Sequence, residues 1–280
     1  MDSLTKSSIL LGKPITFIDG VSIRVPTVQE IIEGQEEFEK SVLALTVLTR
    51  QIFVEAREID SIEQKFPTVW ELMCNRELNL SLGGLTGEPG SKLSDGIISA
   101  IAYWTKLPNP TKEEVEKYTE EEKETEPKGF EFLETSGKII NYDTEWIIDR
   151  AEFDRFVDMI KVITDYRKPE DLAPKIGSDA AHEVWLRMHR SKSSMEKGRE
   201  ISWADRIMML SVSTPSYIPI EEIGKMSIFQ FNQLFKIVNQ IDAYEMSLGI
   251  LMSHKFSAPE GKVKPPKHWR ESYRIGDAES

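Results

Sequence analysis

The sequence predicts an α+β protein, predominantly α-helical, and three observations carry that reading. Two β-rich runs joined by Asp19-Gly20 stand near the start. Capping signals at Thr27, Thr68, Thr111 and Asp149 each precede a stretch of helical character. Apolar residues then recur every three or four positions from Ile228 to Leu248 over about six turns.

The elements follow in order. Ile15-Thr16-Phe17-Ile18 and Val21-Ser22-Ile23-Arg24-Val25 flank Asp-Gly, a hairpin signal because Gly accepts the positive φ of a tight turn. Pro26 stops the second strand. Thr27 and Glu30 form a capping box for a helix running from Val28 to about Leu48, with Gly34 as its weak point. Its predicted inner face holds Val28, Ile31, Ile32, Phe38, Val42 and Leu45. Phe66-Pro67-Thr68-Val69-Trp70-Glu71-Leu72 echoes this start and is read as a second, independently capped helix. Residues 83–90 make a Gly-rich loop. Ser94 is the expected cap of a helix through Ile97, Ile101 and Trp104, stopped by Pro108-Asn109-Pro110.

From Lys112 to Glu134 ten Glu face four Lys, a net charge of −6, which predicts a short solvated helix passing into a linker. Thr135-Ser136-Gly137 lies between the runs 130–133 and 138–140, a second small hairpin near the middle, with Ile147-Ile148 as a further short strand. Asp149 and Glu152 cap a helix whose inner face is Phe153, Phe156, Val157, Ile160 and Ile163, closed by Lys168-Pro169. Helices are expected over 179–197, 203–212 and 227–252. Residues 255–274 carry six basic and two acidic residues with three prolines, an extended basic tail. The organisation expected is therefore 1–110 as hairpin plus helices, 111–128 as acidic linker, 129–254 as a C-terminal helical module and 255–280 as tail.

The chain has 280 residues, 40% hydrophobic and 9% aromatic, enough to build a core and to exclude disorder throughout. A net charge of −12 opposes broad electrostatic binding of nucleic acid. The basic residues between 182 and 200 exceed the acidic ones by only two, too few for a phosphate-binding stripe. No apolar run reaches the roughly 20 residues of a membrane span. Met1 to Leu11 lacks the pattern of a secretory leader, and the single Cys74 permits no internal disulfide, so a reducing intracellular setting is expected.

No catalytic constellation emerges, and a non-catalytic protein without cofactor or metal is expected. The loop at 83–90 has Ser91 where a phosphate-binding loop needs lysine. His182 and His189 sit about 10 Å apart along one helix, too far to share an ion. Cys74 follows Met73 in a helix with Trp70 and Leu72 and is read as a small core residue. The compositional oddity is methionine. Seven of ten fall between 188 and 252, which suits either adaptable packing or a surface for varied apolar helices.

The order of these elements resembles a known family. The Ile-rich hairpin running into Val25-Pro26-Thr27-Val28-Gln29-Glu30-Ile31-Ile32, then Gly34 and Phe38, is one part. Ile148-Asp149-Arg150 with Phe153 and Phe156 is another, and Ser227-Ile228-Phe229-Gln230-Phe231-Asn232 with Tyr244 and Gly249 is the third. Together they are similar to the tail assembly chaperone-like proteins of long-tailed phages and prophages of Gram-positive bacteria. The resemblance implies a non-catalytic assembly factor in the host cytoplasm that binds and solubilises the tape-measure protein. It admits tail-tube subunits and a second copy of the chain as further partners. A structural subunit of the tail or baseplate is the alternative. The expected client contact is the stripe Ile228, Phe231, Leu234, Phe235 and Val238, which the same periodicity also allows to be core.

Overall fold

Ile15–Ile18 (β1) and Val21–Ile23 (β2) pair antiparallel with Ile15 opposite Ile23, and Gly20 turns between them at φ +77°. Ile15, Phe17, Val21 and Ile23 are buried, so the alternation of the hairpin selects one inner face. The computed structural model describes residues 3–85, 90–110, 128–166, 179–196, 201–213, 217–252 and 268. Within them the architecture is the mostly helical α+β fold that the sequence predicts.

A short helix precedes the hairpin (α1, Ser3–Leu10), and Val28–Glu33 (α2) follows it. The predicted helix from 28 to 48 divides at Gly34. The Gly34 amide closes α2 on the Glu30 carbonyl, while its own carbonyl receives the Phe38 amide and opens Gln35–Thr46 (α3). Without a Cβ, Gly34 takes φ −122° and ψ 41° at little cost, and the chain bends there. Val28, Ile31, Phe38 and Leu45 are buried as expected, but Ile32 is left exposed by the bend.

Thr49–Ile52 (α4), Ile59–Lys65 (α5), Val69–Cys74 (α6) and Arg76–Ser81 (α7) form a run of short helices, followed by Leu93–Thr105 (α8). The start of α8 differs from expectation. The Lys92 amide, bonded to Asp95 Oδ2 at 2.9 Å, begins the helix, and Ser94 is its second residue rather than its cap. Ser94 is instead buried against Asn79, donating its amide to Asn79 Oδ1 at 2.8 Å.

The central sheet is Phe130–Leu133 (β3), Lys138–Asn141 (β4) and Trp146–Ile148 (β5), an antiparallel meander. Asp149 accepts the Glu152 amide at 3.0 Å and starts Arg150–Thr164 (α9), whose predicted inner face is buried at every position. Asp179–Glu196 (α10), Trp203–Ser213 (α11), Ile220–Lys225 (α12) and Ile228–Met252 (α13) complete the described chain. All of the predicted linker 111–128 except Lys128, the Lys168-Pro169 stop and the tail apart from His268 lie outside the described residues.

A single apolar cluster runs from Ile9 to Val238 and draws on both sides of residues 111–127. Aromatic rings link it: Phe17 meets Trp146 and Phe156 edge-on at 5.8 and 5.7 Å, and Trp70 packs on Phe153 at 4.9 Å. The stretch around Thr27 also pairs with that around Ser227. The Ile228 amide bonds to the Pro26 carbonyl and the Val28 amide to the Met226 carbonyl, both at 2.9 Å. The starts of α2 and α13 are therefore held side by side, and the Ser227 hydroxyl also donates to the Ile9 carbonyl at 3.4 Å.

Reciprocal caps recur at helix starts. Thr27 with Glu30 and Thr68 with Glu71 open α2 and α6, as the sequence predicts. Ser202 with Asp205 opens α11 and Ser227 with Gln230 opens α13, by the same exchange of side-chain and amide bonds. Arg150 pairs with Glu71 and ties α9 to the cap of α6.

Candidate apolar binding face and cavity

The first half of α13 is part of the core. Ile228, Phe231 and Val238 of the predicted contact stripe are buried, while Leu234 and Phe235 are half-buried and packed against the cluster. The second half differs. Met246, Ile250, Leu251 and Met252 are exposed, with Met252 at 80%. Ile241, Tyr244 and Leu248 are half-buried, and Tyr244 receives the His268 ring at 5.0 Å between centroids.

Methionine follows the same division. Met188 on α10, Met208 and Met209 on α11, and Met246 and Met252 on α13 are exposed. Met226 packs against the core, and the side chain of Met195 lies outside the described residues. Val212 and Tyr217 add to the exposed apolar surface around α11. Scattered apolar side chains are ordinary on a protein surface, but several on neighbouring turns of one helix mark a contact face.

A cavity of about 460 Å³ opens beside the first half of α13. Phe38 and Val42 of α3 form one wall, and Thr164, Asp165 and Tyr166 at the end of α9 form another. Trp203 and Arg206 come from α11, and Ile228, Asn232, Phe235 and Lys236 from α13. Of the five stripe residues, Ile228 and Phe235 reach this cavity.

Its polar groups are mostly committed to one another. Lys236 Nζ pairs with Asp165 Oδ1 at 2.5 Å, both side chains being well shielded. Asn232 donates to the Thr164 carbonyl at 3.0 Å and accepts from Arg206 at 3.0 Å. The Arg206 guanidinium lies 4.7 Å from the Trp203 ring centroid, 5.2 Å from Phe231 and 5.4 Å from Phe235. Burial lowers its pKa from the ordinary guanidinium value, yet an arginine stays protonated. Sequence reasoning did not name Trp203, Arg206 or Lys236 as site residues, and it quoted Asn232 only as part of the family resemblance. The available signal was spacing: Trp203 and Arg206 are one turn apart on α11, as are Asn232 and Lys236 on α13.

Other candidates are weaker. A cavity of about 470 Å³ between α3 and α8 has the carboxylates Glu33, Glu36 and Glu37 at its edge, with Glu36 paired to Lys40 at 2.7 Å. His182 and His189 both stack on Trp185, with centroids 6.5 and 4.9 Å from it. No group of three metal-ligating side chains occurs among the described residues. Cys74 is exposed rather than core, because Val69, Trp70, Leu72 and Met73 take the buried positions of α6. Partial burial of its sulfur still pushes the thiol pKa up, which disfavours the thiolate.

Residues 193–273, less than a third of the chain, match the family model of the YomV second domain, a phage-associated family. The match takes in α11, α12 and α13, and with them the cavity's Arg206 and both halves of α13. No curated protein and no solved structure matches the chain. No helix among the described residues is long and apolar enough to cross a membrane.

Proposed function

We propose that this is a phage protein acting as a non-catalytic tail assembly chaperone, which binds and solubilises the tape-measure protein in the host cytoplasm. The observation that carries the reading is the exposed apolar second half of α13, with Met246, Ile250 and Met252 exposed over its last two turns. A helix apolar on several sides is ordinarily buried against something. Methionine is unbranched and polarizable, so such a surface can repack against different amphipathic helices of one long client. The similarity of 193–273 to a phage-associated domain supports the setting, and the resemblance of the three sequence segments supports the particular role. An assembly factor of this kind forms and breaks no bond and needs no cofactor.

Co-expression with a phage tape-measure protein is the test. The reading predicts that the client stays soluble and co-purifies with the chain. It also predicts that purified particles lack a stoichiometric 32.1 kDa band. An insoluble client in the presence of the chain contradicts the role, and a stoichiometric band assigns the protein to the finished tail or baseplate.

A further inference from the structure

The cavity beside α13 holds a charge without a counter-ion among the described residues. Thr164 donates to the Ile160 carbonyl, Tyr166 to the Thr46 carbonyl, and Asn232 is used at both ends of its amide. Lys236 and Asp165 neutralise each other. Among the described residues Arg206 has no carboxylate partner, and its hydrogen bond there goes to the neutral Asn232. A guanidinium offers five N–H donors along its edge. Three aromatic rings crowd its carbon at 4.7–5.4 Å, and the unused edge donors remain available to a ligand. The described lining of the cavity therefore carries one net positive charge.

We propose that this cavity is a binding site for a single carboxylate carried on an apolar or aromatic body, with Arg206 as the anchoring residue. The carboxylate takes two edge N–H donors side by side, the arrangement that makes arginine–carboxylate pairs strong and directional. Phe38, Val42, Trp203 and Phe235 supply the walls against which the apolar body packs. A volume of about 460 Å³ falls within the ordinary range of small-ligand sites, roughly 300–1,000 Å³. The single uncompensated charge matches a monoanion and not a phosphate dianion. Burial that lowers the arginine's pKa also strengthens any bond it makes to an anion. The carboxylate can come from a Glu or Asp among apolar residues of a partner protein, or from a free small acid. This proposal does not rest on the assembly role.

Titration calorimetry on the full native chain tests it with 3-phenylpropionate against the uncharged, isosteric 3-phenylpropionamide. The acid is expected to bind about tenfold or more tightly than the amide. Arg206→Gln is expected to bring the two within about twofold. Equal binding of acid and amide by the native chain overturns the proposal without recourse to any variant, as does an acid preference that survives in folded R206Q. A pair of short apolar peptides differing only by Glu or Gln separates the sources. A Glu preference there assigns the site to a partner's side chain, and a preference confined to the small acid assigns it to a free ligand. Loss of tape-measure solubilisation with the acid preference intact refutes the assembly role alone.

Discussion

The two halves of α13 share one sequence pattern and differ in environment. From Ile228 to Val238 the apolar stripe meets α11, the end of α9 and the strand-like stretch at Pro26, and it disappears into the core. From Asp242 to Met252 the same helix continues while Met246, Ile250 and Met252 face outward. Periodicity thus reports that a face is made to be covered, and the tertiary structure reports whether this chain covers it. α9 makes the contrast plain, since each of its five predicted inner residues is buried.

The largest effect expected from breaking this comparison is in the first half. Phe231 is fully buried, so Phe231→Asp places a charge in the core and should cost more than about 3–5 kcal/mol. Ile250→Asp should change stability by less than about 0.5 kcal/mol. Urea denaturation of both variants measures the difference. A folded F231D, or a collapse in I250D, would reverse the assignment of the two halves.

A smaller loss is expected at Asn79, which is buried and exchanges hydrogen bonds with Ser94 across α7 and α8. Asn79→Ala leaves the buried Ser94 hydroxyl without that partner and should cost about 1–3 kcal/mol in the same assay. Thr27→Ala removes the α2 cap where the chain meets Ser227, and a loss of about 0.5–2 kcal/mol is expected.

The least effect is pH-dependent. Burial alone would raise the Glu30 carboxyl, but the Thr27 amide and the Arg24 guanidinium outweigh it and hold its pKa below the ordinary 4.5. A depressed folded pKa contributes stability that is present above the unfolded value and lost as pH falls through the folded one. Stability should therefore decline below about pH 4.5, and Glu30→Gln should flatten that decline, read from melting temperatures across an acid series. An unchanged acid slope in E30Q would show that Glu30 has no part in it.

Much of the scaffold was legible because local chemistry determined it. Asp19-Gly20, the Thr27 and Thr68 boxes, and the long periodicities of α9 and α13 all appear where the residues place them. The short helices α1, α4, α5, α7 and α12 were not legible, since fewer than three turns give too few repeats to read against background. Ser94 was misplaced because Lys92 and Asp95 open α8, and a buried Asn79 from another helix draws the serine inward. The methionine cluster was legible as an oddity, but its exposure depends on where α10, α11 and α13 leave the core. The cavity was invisible for a related reason. Its walls come from positions between Phe38 and Asn239, and only the tertiary fold brings Arg206 to Asn232 and Phe235.

Hydrogen exchange along α13, with the chain free and in complex with co-expressed tape-measure protein, is the most direct measurement of the central claim. Amides over 228–238 should be strongly protected in both states, whereas those over 242–252 should exchange fast in the free chain and slow on complex formation. Equal protection of both halves in the free chain, or exchange over 242–252 that the client leaves unchanged, would contradict the account.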